Sequence, residues 1–226
     1  KAELNKKGLA QFPYMLTAIT PVVNLPGVFD GQLSLNGKTL GDIFLGKIKK
    51  WNDPAIAATN RNIKLPNQEI LVAHRAADGS GTYILSSYLA KVNPEWKSSV
   101  GVGATLNWPV GTAVESLYAM GDYIKKTPYS IGYSEISYVR KNQLVYVRLQ
   151  NSAGQFVSPH SGSVEEAAQN VRWKADNGFS EVLIDQPGAG SWPMTSASYI
   201  VIQKTSDNLA RRHALLNFFG WALRAG

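Results

Sequence analysis

The amino-acid sequence predicts an α/β fold. Strand-like segments, rich in apolar and β-branched residues, alternate along the chain with segments of helical spacing, which is the pattern of mixed α/β domains. The chain has 226 residues, of which 44% are hydrophobic and 10% aromatic. This composition supplies an apolar core and excludes a disordered chain. The length suits one large domain or two lobes of about 100 residues each.

Strands are expected where apolar residues run together between turn-forming residues. The first such run is interrupted by Leu25, Pro26 and Gly27, because proline and glycine break regular structure. The expected strands cover residues 12–23, 69–73, 130–133, 144–149 and 196–203.

Helices are expected where apolar residues recur with helical spacing after a capping residue. Asp53 followed by Pro54 is such a start. Ser163 is expected to cap a helix that runs to about residue 174, and Ser206 or Asp207 to cap a last helix that runs to residue 224. The other expected helices cover residues 38–45, 83–92 and 114–126, and a short stretch between the strands at 130–133 and 144–149.

Positive charge exceeds negative charge without forming a basic tail. The sequence holds 23 Lys and Arg against 16 Asp and Glu, a formal net charge of +7. The densest groups, at residues 47–50 and 211–212, are too short for a nucleic-acid-binding tail, so no nucleic-acid partner is expected. A merely soluble basic surface and a site for a small anion both stay open.

Several kinds of chemistry are disfavoured by the residue content. The chain has no cysteine, which excludes disulfides, Cys-based zinc sites and thiol nucleophiles. His74, His160 and His213 lack the spacing of a metal site, and no hydrolase motif occurs. We therefore expect no catalytic residue, no metal and no cofactor. The longest apolar run is shorter than the ~18 residues of a membrane span, and the polar first residues suit a mature chain or a piece of a longer one.

A phosphate-loop pattern at residues 41–47 is rejected. The spacing fits G-x-x-x-x-G-K, but the next residue is Ile48 and not the Ser or Thr that would bind magnesium. The residues between the two glycines are apolar and helical rather than a flexible cradle.

A stronger anion-binding signal lies where the strand at 69–73 passes into the helix at 83–92. Gly81 permits a close backbone approach, while Ser80 and Thr82 offer hydroxyl groups, and Thr82 could also cap the helix. The first amides of a helix have no internal partner and carry partial positive charge, which favours an oxyanion. Arg75 could grip two oxygens of such an anion. Asp78 would repel a dianion unless it paired with Arg75 or accepted a proton from the ligand. A plain glycine-rich loop is the alternative.

Several segments resemble the phosphate-specific substrate-binding protein of bacterial ABC importers. The similarity runs from about Gly8 to the C-terminus, in matching order and spacing. The segments are residues 33–52 (LSLNGKTLGDIFLGKIKKWN), 78–82 (DGSGT), 87–93 (SYLAKVN), 108–111 (WPVG), 130–133 (SIGY), 192–196 (WPMTS) and 218–221 (FFGW).

That resemblance implies a periplasmic-binding-protein type II-like architecture of two α/β lobes. Crossing strands near residues 20–27 and 192–198 would form the hinges. Residues 1–24 and 193–226 would be parts of lobe I, which would be incomplete. Residues 25–192 would form a complete lobe II.

The chain departs from the family pattern in three ways. The family has a further N-terminal segment with half of the phosphate ligands, which would then be missing here or supplied by another chain. The family writes Arg-x-Asp-Gly-Ser-Gly-Thr, whereas one extra residue separates Arg75 from Asp78 here. Residues 112–118, with Glu115, replace a glycine- and lysine-rich loop and look more helical. The resemblance carries over Arg75, Asp78, Ser80, Gly81 and Thr82 as phosphate-binding residues.

The function implied is periplasmic binding of inorganic phosphate, or a similar oxyanion, for delivery to the permease of an ABC transporter. It is not catalytic. One alternative is a divergent or truncated family member that acts as a sensor or protein-interaction module without tight phosphate binding. Another is a hydrolase or transferase acting on phosphate esters, against which the missing metal ligands and nucleophile weigh.

Overall fold

The computed structural model describes residues 2–205 and 208–225, and it has the predicted α/β character. The chain divides into two compact units. The larger unit contains residues 17–171 and 182–196, and the smaller unit contains the described residues of 1–16, 172–181 and 197–226. The lobe boundaries implied by the family resemblance stay a prediction.

Helices and strands alternate over the described residues. The helices are α1 (Ala2–Lys6), α2 (Gly37–Phe44), α3 (Pro54–Ala57), α4 (Ser80–Val92), α5 (Pro94–Ser99), α6 (Leu117–Lys126), α7 (Ile136–Lys141), α8 (Ser161–Gln169) and α9 (Leu209–Ala225), with a short 3₁₀ helix at Ala175–Asn177. The strands are β1 (Leu9–Asn24), β2 (Ser34–Leu35), β3 (Leu71–Arg75), β4 (Thr112–Val114), β5 (Ser130–Glu135), β6 (Val145–Tyr146), β7 (Arg148–Gln150), β8 (Phe156–Val157) and β9 (Thr195–Gln203).

A mixed sheet with the strand order β4-β3-β5-β1-β6 organises the larger unit. Strand β3 runs parallel to β4 and β5, while β1 runs antiparallel to β5 and β6. Because the carboxyl ends of parallel strands meet at one edge of a sheet, the residues that follow β3 and β5 come together there. A small second sheet has the order β2-β7-β8.

The core of the larger unit is aromatic as well as aliphatic. Its largest fully buried side chains are Trp51, Trp96, Trp192, Tyr88, Tyr133 and Phe44. The Trp51 indole donates to the Tyr129 carbonyl (2.9 Å) and the Trp192 indole to the Ile19 carbonyl (3.0 Å). Large rings thus fill this core while their polar atoms keep hydrogen-bond partners.

Three predicted helix starts were wrong, and the first is that of α4, which begins at Ser80 rather than at residue 83. Helix α8 begins at Ser161 after the cap His160 and ends at Gln169, short of residue 174. The His160 imidazole Nδ1 accepts from the Ser163 amide (3.1 Å), and the Ser163 hydroxyl accepts from the His160 amide (3.0 Å). Ser163 is therefore the third helical residue of a capping box. The prediction failed because an imidazole nitrogen serves as the capping acceptor.

The helix expected at 114–126, in contrast, begins later than predicted. Residues 112–114 form β4, which pairs with β3 and places Thr112 opposite Ala73. Helix α6 then starts after Ser116, whose hydroxyl accepts from the Ala119 amide (3.0 Å). The helical character expected for residues 112–118 is thus wrong over its first half, because strand pairing overrides local propensity.

In the smaller unit, β9 pairs with β1, and the Lys204 amide donates to the Gly8 carbonyl (2.8 Å). Phe12 meets Phe219 of α9 edge to face, with ring centroids 5.4 Å apart. Ser206 and Asp207, the expected caps of α9, lie outside the described residues. No helix in the described part of the chain is long and apolar enough to cross a membrane.

Candidate anion site

The loop between β3 and α4 forms the start of a helix that no side chain caps. Gly79 is the cap residue and makes no side-chain hydrogen bond to the helix. Its amide donates to the Ala104 carbonyl (3.1 Å), and its carbonyl accepts from the Tyr83 amide (3.1 Å). The loop is thereby fixed at both backbone groups of Gly79. The amides of residues 80–82 stay at the open end of α4, where intrahelical partners are lacking and the helix dipole is positive.

The Arg75 side chain lies against this loop. A Cβ atom at Gly79 would overlap the Arg75 guanidinium, so the guanidinium would have to shift if a larger residue stood there. The backbone of Gly79 is extended, with φ −177°, a conformation that any residue could adopt. A side chain at this position would disturb the Arg75 guanidinium and not the backbone. The extra residue between Arg75 and Asp78 therefore does not carry the guanidinium away from the start of α4.

Arg75 keeps its charge available. It is half-buried, and its Nε atom is buried without a hydrogen-bond partner. Among the described residues, no carboxylate pairs with Arg75, Asp78 included. The pairing between Arg75 and Asp78 that would relieve repulsion of a dianion is thus not formed. A guanidinium without an acidic partner is suited to an external anion.

Tyr133 joins β3 to α4. Its hydroxyl lies 2.7 Å from the Thr82 Oγ1 atom and accepts from the Arg75 amide (3.3 Å). Tyr133 is fully buried, and this burial raises the pKa of its hydroxyl, so the phenol stays neutral at physiological pH. It holds the end of the strand and the first turn of the helix in one arrangement. Tyr133 appeared in the sequence only as part of a family motif, without a role.

The five predicted site residues take different positions around this helix start. Thr82 is 1% exposed and bonds to Tyr133 rather than capping the helix. Gly81 is buried, with a Cβ position 3.4 Å from the side chains of Ile19 and Leu117. Ser80 and Asp78 are exposed. Arg75, Ser80, Gly81 and Thr82 thus converge at the start of α4, and Asp78 lies in the loop just before it.

Aromatic rings support β3 behind the site. His74 is buried and stacks on Trp108, with ring centroids 4.8 Å apart at 14°. Trp108 in turn lies 6.2 Å from the Tyr133 ring. The His74 Nδ1 atom is 3.1 Å from the Arg75 carbonyl oxygen. His74 is therefore a packing residue that stiffens the strand end from which Arg75 extends.

Two features of the described residues bear on metal and nucleotide binding. Within residues 2–205 and 208–225, no group of three or more His, Asp or Glu side chains could hold a metal ion. The rejected phosphate-loop pattern lies on α2 and its C-terminal end, and Lys47 there is paired with Glu95. This pattern is thus part of a helix and an ion pair.

Known proteins resemble this chain in sequence. A family model described as a PBP superfamily domain matches residues 1–225. The chain is 46% identical over 228 residues to the protein named phosphate-binding protein PstS from Pasteurella multocida, covering all of this chain and 66% of the relative. It is 44% identical over 224 residues to the protein of the same name from Haemophilus influenzae, covering 99% of this chain and 67% of the relative. The chain thus spans about two thirds of these relatives.

A solved structure resembles the chain in fold. It is a high-affinity periplasmic phosphate-binding protein (PfluDING) bound with phosphate, and the TM-score is 0.72 at 17% sequence identity. The match covers 96% of this chain and 64% of that one. The likeness confirms the predicted α/β fold of the periplasmic-binding-protein kind over the part that is matched.

Proposed function

Because the chain belongs to the PstS family of phosphate-binding proteins, we propose that it binds inorganic phosphate outside the cytoplasm for delivery to an ABC transporter. The resemblance inferred from the sequence motifs is confirmed at the level of the family. What the whole protein binds, where it acts and which transporter it serves are parts of the proposal.

One observation carries this proposal: the open start of α4 and the unpaired Arg75 guanidinium lie together. Residues 80–82 present backbone amides at the positive end of a helix, and no side chain caps them. The guanidinium adds charge-assisted donors beside them. The oxygen atoms of phosphate accept hydrogen bonds from these donors. Its protonated forms also carry an O–H group that can donate. This is the arrangement in which helix starts bind phosphate.

Asp78 provides the basis for discrimination against sulfate. Its carboxylate is exposed in the loop before α4, and it forms no ion pair among the described residues. Hydrogen phosphate could donate its proton to this carboxylate, whereas fully ionised sulfate could only repel it. A donor–acceptor mismatch of this kind would cost more once the N-terminal segment of the family covered the anion.

The proposed role is that of a receptor without catalysis. The relatives with the highest identity quoted above are named binding proteins, and the site holds donors for an anion rather than a nucleophile beside a base. Delivery would require the permease of an ABC transporter as the partner. The compartment would be the periplasm, as for the solved periplasmic phosphate-binding protein of similar fold.

We also propose that the smaller unit is completed by the family's N-terminal segment, on this or another chain. The exposed fraction is 61% for Leu209, 56% for Phe218 and 58% for Trp221 on α9. Apolar exposure of this extent is typical of a surface that another part of a protein covers. The relatives are about one and a half times as long as this chain, and the resemblance assigns half of the phosphate ligands to the added segment.

Calorimetric titration with phosphate, with sulfate as the reference anion, tests the receptor function. We expect phosphate to bind, and Arg75→Ala to weaken it by about 1–3 kcal/mol, the range for hydrogen bonds to charged groups. Arg140→Ala is the matched control, because the Arg140 side chain is exposed and donates to the Pro159 carbonyl ahead of α8. Equal binding of phosphate and sulfate, or no heat with a folded protein, would favour the alternative role of a sensor or interaction module.

A further inference from the structure

Two buried hydroxyl groups meet at the start of α4. The Tyr133 hydroxyl, which comes from β5, lies 2.7 Å from the Thr82 Oγ1 atom in the first turn of the helix. It also accepts from the Arg75 amide at the end of β3 (3.3 Å). Tyr133 is fully buried and Thr82 is 1% exposed. Each hydroxyl proton therefore needs an acceptor that lies directly against it.

A count of these protons shows that one of them lacks an acceptor. Each hydroxyl group has one proton to donate. The contact between Tyr133 and Thr82 uses one of the two, and the bond with Arg75 uses the proton of the Arg75 amide. Among the described residues, neither hydroxyl makes a further hydrogen bond. One O–H donor is thus left over at the start of α4, and a buried donor without an acceptor is costly.

The chemistry of the two groups assigns the unpaired proton to Thr82. A phenol is more acidic than an aliphatic alcohol, so Tyr133 is the better donor of the pair. Thr82 also lies in the first helical turn, among the amides that have no intrahelical partner. When Tyr133 donates to the Thr82 Oγ1 atom, the Thr82 proton can join these amides as a donor.

We propose that Tyr133 is a positioning residue for anion binding: by donating to the Thr82 Oγ1 atom, it turns the Thr82 hydroxyl proton toward an anion at the start of α4. The inference rests on the proposed phosphate site and adds a residue that acts without touching the ligand. Because only 1% of Thr82 is exposed, the acceptor must lie directly against the first turn. An anion held by the amides of residues 80–82 lies there.

A double-mutant cycle on phosphate affinity, measured by calorimetric titration of the full chain, tests the proposal. Tyr133→Phe removes the hydroxyl and keeps the ring that stacks near Trp108. We expect it to weaken phosphate binding about threefold to tenfold, the range of one hydrogen bond, because the Thr82 hydroxyl can then turn to other acceptors. Thr82→Val should weaken binding about tenfold to a hundredfold. In the Thr82→Val background, Tyr133→Phe should change the affinity by less than about twofold.

Two further variants serve as matched controls. Tyr88→Phe removes another fully buried tyrosine hydroxyl, which lies in the second half of α4 and donates to the Gln150 carbonyl (3.2 Å). It should leave the phosphate affinity unchanged. Thr82→Ser keeps the hydroxyl group, so phosphate binding by this variant should stay sensitive to Tyr133→Phe.

The contrary results are distinct from one another. Phosphate affinity that Tyr133→Phe leaves unchanged would overturn the inference and leave the proposed function standing. Equal losses from Tyr133→Phe in the parent and in Thr82→Val, or equal losses from Tyr133→Phe and Tyr88→Phe, would also overturn it, because the tyrosine would then act through Arg75 or through packing. Unchanged affinity in Thr82→Val would overturn it even if Tyr133→Phe did not fold, and so would insensitivity of Thr82→Ser to Tyr133→Phe. Failure of the parent chain to bind phosphate would overturn the proposed function and the inference together.

Discussion

Helices α4 and α9 use similar apolar residues and end in opposite environments. Helix α4 in the larger unit has 13 residues and buries seven of them, among them Leu85 and Tyr88. Helix α9 in the smaller unit has 17 residues, and none of those whose burial is described is buried. The residues of α9 include Leu215, Leu216, Phe218 and Trp221. Apolar content therefore does not decide burial; the neighbouring elements do.

Helix α4 packs on its neighbours, whereas α9 leaves large apolar side chains exposed. Around α4, the side chains of α2, α5 and β5 complete a core. The Asn93 side chain links these elements, since it donates to Asp42 on α2 (2.9 Å) and accepts from the Trp96 amide of α5 (3.1 Å). On α9, Phe219 meets Phe12 edge to face, while Leu209, Phe218 and Trp221 are more than half exposed. Stability should accordingly reside in the larger unit.

The largest expected effect is a leucine truncation in α4 compared with one in α9. Leu85 is fully buried and Leu216 is 43% exposed. Leu85→Ala should lower the free energy of unfolding of the larger unit by about 2–5 kcal/mol, because it removes buried methyl groups and leaves a cavity. Leu216→Ala should change the stability by no more than about 0.5 kcal/mol. Urea unfolding followed by tryptophan fluorescence measures both.

Adding the N-terminal segment of the family should change the effect of the α9 substitution. If that segment covers α9, Leu216→Ala in the completed protein should become destabilising by about 1–3 kcal/mol, as for a newly buried leucine side chain. An unchanged effect of Leu216→Ala in the completed protein would show that α9 is not the covered face. Comparable losses from Leu85→Ala and Leu216→Ala in the present chain would contradict the contrast between the units.

A smaller effect concerns the pH dependence of the larger unit. Asp185 is 8% exposed, and its Oδ1 atom is buried without a hydrogen-bond partner. Burial raises the pKa of this carboxyl, and the nearby Lys91 ammonium, 3.8 Å from Oδ2, only partly opposes the rise. Over the range between the ordinary and the raised pKa, the folded protein binds a proton that the unfolded chain has released. Asp185 therefore costs stability as the pH rises through that range.

Asp185→Asn should remove this part of the pH dependence. We expect the variant to lose less stability than the parent between acidic and neutral pH, as measured by thermal unfolding across a pH series. Asp176→Asn, at an exposed aspartate of the smaller unit, is the matched control. A steeper loss of stability in Asp185→Asn than in the parent would show that the charged carboxylate is stabilising.

The sequence allowed much of the fold to be predicted because local signals and tertiary pairing mostly agree. Pro54 after Asp53, and the turn at residues 25–27, marked real boundaries. One error was local, because His160 caps α8 through a ring nitrogen, an acceptor outside the usual capping residues. Another arose where a tertiary contact decided, because β4 exists by pairing with β3. Such pairings are not visible in a local pattern.

Only those site residues that lie close together in the sequence could be predicted. The amides of residues 80–82 and the nearby Arg75 follow from a strand–loop–helix pattern. The contribution of Tyr133 depends on β5 lying beside β3, which no spacing between residues 75 and 133 reveals. The overlap of a Gly79 side chain with Arg75 likewise depends on the folded path of the loop. The parallel pairing of β3 and β5 is the signal that would have placed Tyr133 next to Thr82.

Amide NMR shifts during a phosphate titration test the central claim most directly, namely that the start of α4 holds the anion. We expect the amide signals of Ser80, Gly81 and Thr82 to move together and to saturate with phosphate, because their N–H groups would donate to its oxygens. Sulfate should move them only at much higher concentration. Signals of these three amides that stay fixed while phosphate shifts amides elsewhere would contradict the claim.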